Sequence, residues 1–193
     1  MIDKTPLEMD QMPLEKRDEL LYEILKYLRD LPQEERSVVV AGIYDLERNQ
    51  LYVASSREVP STSDYGMWNH AEFEAMKLAL EDGVDPSKSI VITSLSPCVV
   101  GSNRRPHDAC ANMLLDAGFE NVHTGHVDIR QATLEEYKEM GLNITVTGNE
   151  QLSQICVGLD RFFDPDRANR KKGESKQEYI DEILKDLPED LQV

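Results

Sequence analysis

Apolar positions follow two different rhythms along the chain. Leu14, Leu20, Leu21, Ile24, Leu25 and Leu28 recur at helical spacing. They predict an amphipathic helix that Pro13 opens and Pro32 stops. From Ser37 the rhythm changes. Ser37–Tyr44 (SVVVAGIY) is a β-branched run, and Leu51–Ala54 follows it across the polar turn Asp45–Gln50. The pair predicts a hairpin. Strands and helices then alternate. Glu72–Asp82 reads as a helix ending near Gly83, and Ser89–Ser94 (SIVITS) as a buried strand. Asp108–Ala117 reads as a helix stopped at Gly118, and Asn121–Thr124 as a brief strand. Thr133–Met140 is a helix stopped at Gly141, with Leu142–Val146 as a last strand.

From Ser89 onward the order is β-α-β-α-β, which implies parallel strands joined by crossover helices. The opening hairpin makes the sheet mixed. The expected fold is a three-layer α/β/α sandwich with a mixed sheet of about five strands, parallel final strands, and flanking N- and C-terminal helices. The chain divides into an N-terminal helical extension (1–36), a central α/β domain (37–159), and a polar linker with a C-terminal helix (160–193). EILK occurs at Glu23–Lys26 and again at Glu182–Lys185, a match more typical of shared helix composition than of a true repeat. Asp164–Lys176 reads as a polar surface loop, in which Arg167, Arg170, Lys171 and Lys172 offset nearby acids.

Composition narrows the partners. Of 193 residues, 21 are basic and 37 acidic, for a formal charge of −16. Such a field repels phosphate backbones, so no long nucleic acid is expected. No apolar run reaches the length of a membrane span, and the opening MIDKTPLEMD lacks the apolar core of a signal peptide. Three cysteines are too few for a disulfide framework. The expectation is a cytoplasmic protein in a reducing compartment, with no membrane partner.

Three fragments carry chemistry. His70-Ala71-Glu72 opens a helix, Pro97-Cys98 sits just past a strand, and Cys110 lies near the start of the next helix. Each alone reads blandly, as a helix start or a small buried hydrophobe. Together they fall where strands hand over to helices. One imidazole and two thiolates suit Zn²⁺ and leave a fourth tetrahedral position open, as catalytic sites require. Helix N-termini favour the thiolate. A bound zinc would stabilise hydroxide near neutral pH, and Glu72 is close enough in sequence to move protons without being a ligand.

These residues resemble the zinc-dependent cytidine/deoxycytidylate deaminase superfamily, whose signature is H-x-E followed by P-C-x-x-C. His70-Ala71-Glu72, Pro97-Cys98 and the continuation Phe73-Glu74-Ala75 carry the resemblance, which spans Ser37–Val146. The departure is the interval VVGSNRRPHDA between Cys98 and Cys110. With Gly101, Arg104, Arg105 and Pro106 it is similar to the longer loop of riboflavin-pathway pyrimidine deaminases. It also leaves His107 as a substitute for Cys110 as third ligand. The helix between the last two strands resembles the deoxycytidylate, tRNA-editing and riboflavin branches, and the acidic charge argues against the tRNA-editing one.

The resemblance implies a deaminase-like catalytic domain and a hydrolase acting on a C–N bond of a cyclic amidine. Zinc hydroxide would attack C4 of a small cytosine-type nucleoside or nucleotide (CMP- or dCMP-like), Glu72 would shuttle protons, and ammonia would leave. It further implies that backbone groups at Ala71 and Ser96 hold the base, and that the protein is a homo-oligomer. Ala54-Ser55-Ser56-Arg57 lacks the asparagine that usually holds the sugar. Asn69 either replaces it or caps the helix. Tyr65 and Trp68 either stack on a base or pack in the interior. Arg104 and Arg105 either fork onto a 5′-phosphate or lie in a solvated loop. His123 and His126, near the end of a strand, are either ligand contacts or satisfied structural histidines. Cys156 reads as core. Two alternatives stand beside the leading one: a riboflavin-pathway aminopyrimidine deaminase, although the usual Asn-Pro-x-Val-Gly run is missing, and a non-catalytic, zinc-stabilised binding or regulatory module. Glu72 favours an enzyme, because a structural zinc needs no proton shuttle nearby.

Overall fold

The computed structural model describes residues 12–59, 67–99, 109–163 and 174–191. Helix α1 spans Leu14–Asp30, with Pro13 as its N-cap. It ends because Leu31 precedes Pro32, whose ring disfavours helical backbone at that residue; Leu31 is extended, at φ −61° and ψ 150°. Strands β1 (Val40–Asp45) and β2 (Gln50–Ser55) form the expected hairpin. Its turn is closed by Asn49 at φ 53°, a left-handed conformation that asparagine tolerates.

A short antiparallel pair follows, β3 (Arg57–Val59) with β4 (Met67–Asn69), which the hydrophobic pattern does not predict. Helix α2 (Ala71–Glu81) and strand β5 (Ser89–Leu95) come next, then helix α3 (Cys110–Asp116) and strand β6 (Asn121–His126). Helix α4 (Leu134–Met140) opens with a reciprocal capping box between Thr133 and Glu136 and closes on Gly141 at φ 102°. Strand β7 (Asn143–Val146), helix α5 (Glu150–Asp160) and helix α6 (Lys176–Leu184) complete the described elements.

The main sheet has strand order β2-β1-β5-β6-β7. β1 is antiparallel to both neighbours, while β5, β6 and β7 are parallel. It is therefore a mixed five-stranded sheet with parallel final strands, as the alternation of elements requires. Its strands alternate sides with period two. Val40, Tyr44, Ile90 and Ile92 join one core with Leu21, Ile24, Leu25 and Leu28 of α1, Leu152 and Leu159 of α5, and Ile180 of α6. Ala41, Ile43 and Val91 join the other with Ala75 of α2, Leu114 of α3 and Tyr137 of α4. The N- and C-terminal helices thus supply a whole layer of the sandwich.

Helix α5 is a finding of the structure that the hydrophobic pattern does not announce. Asn149 caps it by accepting from the Leu152 amide, and Leu152, Ile155, Cys156 and Leu159 lie on its buried side. It packs closely on β6 because Gly125 has no Cβ, which would collide with the Cys156 side chain. Cys156 is buried in this core, and burial pushes its thiol upward. No described helix is long and apolar enough to cross a membrane. The basic group Arg167, Arg170, Lys171 and Lys172 lies outside the described residues.

A polar chain crosses the α1 layer. Fully buried His123 on β6 contacts Asp18 of α1 through Nε2 at 3.0 Å and Thr145 of β7 through Nδ1 at 3.0 Å. Burial raises the Asp18 carboxyl, but hydrogen bonds from His123 and Thr147, the His123 charge and the Gly148 amide outweigh it and hold it below its ordinary 3.8.

Candidate metal centre and active site

The parallel arrangement puts the C-terminal end of β5 beside the starts of α2 and α3. His70 is the N-cap of α2, Cys98 follows β5, and Cys110 is the first residue of α3. Residues far apart in sequence therefore meet at one point. His70 Nδ1 lies 3.3 Å from Cys110 Sγ and 3.6 Å from Cys98 Sγ. All three ligand atoms lie within 4.8 Å of one another. Zinc bonds to nitrogen and sulfur, arranged tetrahedrally, put neighbouring ligand atoms about 3.4–3.8 Å apart. The donor set and its spacing therefore fit zinc.

Backbone holds the cluster in place. The Cys110 amide donates to Cys98 Sγ at 3.3 Å, and the Ala111 amide donates to the Cys98 carbonyl at 3.1 Å. The hydrogen bond from the Cys110 side chain, with smaller contributions from His70 and the Cys110 amide, outweighs burial and brings the Cys98 thiol down to about 4. A thiolate at that position is what a metal ligand requires.

Glu72 lies in the first turn of α2 and is 3% exposed. Its Oε2 has no hydrogen-bond partner among the described residues. Burial is the main cause that raises its carboxyl to about 7; His70 opposes the shift and Cys98 adds to it. A carboxyl of this kind can both take and give a proton near neutral pH.

A cavity of about 380 Å³ opens onto these groups, lined in part by His70, Glu72, Ser96 and Cys98. Ser96 is pinned on several sides. Its amide donates to the His126 carbonyl at 2.9 Å, and its hydroxyl accepts from the Asp128 amide at 3.0 Å and lies 3.2 Å from the Tyr137 hydroxyl. The Tyr137 hydroxyl donates to the Pro97 carbonyl, which ties α4 to the exit of β5. Ala71 is fully buried at the first position of α2. Asn69 turns away to Glu74: its side-chain amide donates to one carboxylate oxygen, and the other pairs with Arg57 at 2.8 Å. His123 belongs to the opposite layer, while His126 sits 3.6 Å from Asp160. Arg104, Arg105, His107, Tyr65 and the side chain of Trp68 lie outside the described residues.

The cavity also has walls that the sequence pattern does not point to. Asp128, Arg130 and Gln131 come from the loop after β6, Asp160 is the last residue of α5, and Phe163 lies in the 3-10 turn Arg161–Phe163 that follows it. The loop is findable in principle, since open α/β sheets place ligand contacts beyond the carboxyl ends of their strands. The other two are not, because they depend on α5.

No protein-family model matches the chain, and no curated protein matches it in sequence. Solved structures do. The chain is similar to the diaminohydroxyphosphoribosylaminopyrimidine deaminase/5-amino-6-(5-phosphoribosylamino)uracil reductase of Thermotoga maritima, at 16% identity over 77% of this chain and 42% of that one, with a TM-score of 0.52. It is similar to RibD of Acinetobacter baumannii at 17% identity, over 77% of this chain and 40% of that one, with a TM-score of 0.52. It is also similar to a variant of NE0047 in complex with 8-azaguanine, at 17% identity over 78% of this chain and 84% of that one, with a TM-score of 0.51. The chain spans about two fifths of the length of the first two proteins. It has the fold of the cytidine/deoxycytidylate-type deaminases.

Proposed function

We propose that the protein is a zinc-dependent hydrolytic deaminase of a small amino-bearing heterocycle, in the first instance a cytosine-type nucleoside or nucleotide. The observation that carries this reading is the convergence of His70 Nδ1, Cys98 Sγ and Cys110 Sγ within 4.8 Å, at a cavity that Glu72 also lines. A purely structural zinc site has no use for a buried, partnerless carboxylate oxygen at the same point.

His70, Cys98 and Cys110 would hold the metal, and a bound zinc supplies Lewis acidity that yields hydroxide near neutral pH. The chain's own work falls to Glu72. It takes a proton from the attacking water and passes one to the ring nitrogen as oxygen adds to the amino-bearing carbon. It then takes the remaining proton from the added hydroxyl and hands it to the amine as the C–N bond breaks, so that water and the amino compound become the oxo compound and ammonia. The Ser96–Tyr137–Pro97 hydrogen bonds fix the segment that leads into Cys98. The expected homo-oligomer belongs to the same proposal.

The similarity in fold to the Thermotoga protein supports one second reading, an aminopyrimidine substrate. Ammonia release from cytidine, cytidylate, deoxycytidylate and an aminopyrimidine tests both. Glu72→Ala serves as the control, and zinc content is measured in parallel. Release from at least one substrate, lost in Glu72→Ala, is expected. A folded, zinc-loaded protein inert on all of them would favour a binding module instead.

A further inference from the structure

The part of the cavity lining that lies outside the metal centre has a chemistry of its own. Arg130 is the arginine or lysine that lines the cavity among the described residues, and its fork is already engaged. It donates to Asp128 through Nε at 2.6 Å and through a terminal nitrogen at 3.1 Å, and that nitrogen also reaches Asp160 at 2.5 Å. Glu72, Asp128 and Asp160 together outnumber it in this lining. Three residues beyond Asp160, Phe163 lines the same cavity and is 52% exposed. Its ring is buttressed edge-on by Phe162, with centroids 5.8 Å apart, and Phe162 leans in turn on Tyr179. The wall therefore offers an apolar face to a planar ring and repulsion to an anion.

We propose that Asp160, at the end of α5, and Phe163, in the 3-10 turn that follows, set the substrate class of this site: an unphosphorylated base or nucleoside that stacks on Phe163, with nucleotides rejected. The inference rests on the deaminase reading and deepens it. A phosphate in this cavity must either approach an acidic wall or strip Arg130 from two carboxylates, and the chain's net charge of −16 works in the same direction. A neutral ring meets neither obstacle and gains the stacking contact.

The reaction products make suitable probes, because they bind without being consumed. Calorimetry on the full, zinc-loaded chain at low salt compares uridine with uridine 5′-phosphate, and xanthosine with xanthosine 5′-phosphate. In whichever pair binds, the unphosphorylated member is expected to bind about 10-fold tighter. Asp160→Asn should narrow that gap to about threefold by strengthening the phosphate member. Phe163→Ala should weaken both members about 10-fold, and Phe163→Trp should restore them. Arg130→Gln should leave the preference in place, which keeps the test alive should the Asp160 variant fold poorly.

Several results would overturn the proposal: tighter binding of the phosphorylated member, particularly if Arg104→Ala with Arg105→Ala abolishes it; indifference of both pairs to Phe163→Ala; or binding of no probe at all. Ammonia release is scored separately on cytidine, guanosine and their 5′-phosphates. The binding pattern without ammonia sinks the deaminase reading alone, whereas ammonia chiefly from the nucleotides sinks this inference alone.

Discussion

On one side of the sheet Asp18 meets His123, and on the other Glu72 sits two residues from His70. Both are buried acids beside a histidine, and they are built in opposite ways. Asp18 is surrounded by donors, and its carboxyl is held below the ordinary value. Glu72 keeps a partnerless oxygen, and its carboxyl is raised to about 7. His123 has both ring nitrogens occupied within the protein, whereas His70 faces two thiols across distances that suit a shared metal. The lesson is that burial of an acid–histidine pair does not mark a site. A satisfied pair holds layers together; an unsatisfied one that opens on a cavity is free to engage a reactant.

The largest test of this contrast is Glu72→Gln. Ammonia release should fall by about 10²–10⁴-fold, as for loss of a general acid–base. Thermal melting should show no loss of stability, because a buried carboxylate with an unmet oxygen has been removed. A large drop in melting temperature would instead make Glu72 structural, like Asp18.

Cys110→Ala comes next. Its zinc content by elemental analysis should fall towards background, while His107→Ala should keep its metal. The reverse pattern would move the third ligand to His107.

Asp18→Ala should do the opposite of the Glu72 change. Leaving His123 Nε2 without its partner should cost about 1–3 kcal/mol in chemical denaturation, with turnover per folded molecule within about twofold of the parent. The pH dependence follows from the lowered carboxyl. The Asp18 contribution is fully present above its ordinary value of 3.8 and is lost as pH falls through the still lower folded-state value. The variant should therefore lose less stability than the parent on acidification through that range.

Lys16→Ala sets the baseline. Lys16 pairs with Glu19 at 2.8 Å on α1, and both side chains are more than two fifths exposed. The change should stay within about 0.5 kcal/mol. A larger effect would mean that the outer face of α1 is covered in solution.

Much of the fold is legible in the sequence because it rests on local rules. The period of α1, the hairpin turn and the Thr133–Gly141 helix signals each depend on a few neighbouring residues. The β-α-β-α-β order then gives parallel strands, because each helical crossover carries the chain back to the end of the sheet where the previous strand began. What the pattern does not reveal has physical causes too. Pairing of β3 with β4 is a contact between segments with no strong alternating pattern. Helix α5 escapes notice because the short apolar stretch around Cys156 (QICVGL) reads simply as core, although Leu152, Ile155, Cys156 and Leu159 share one buried side of a helix.

By itself, the sequence determined the kinds of atoms available to the centre and the elements that carry them: an imidazole, two thiols and a carboxylate at strand-to-helix junctions. Only tertiary structure decided that His70, Cys98 and Cys110 share a point, that His123 is spent on Asp18, and that Asp160 and Phe163 line the same cavity as Glu72. The reason is the range over which each is set. Periodicity and capping are properties of adjacent residues, whereas a site wall is made when strand register and the approach of α5 over Gly125 bring distant segments into contact.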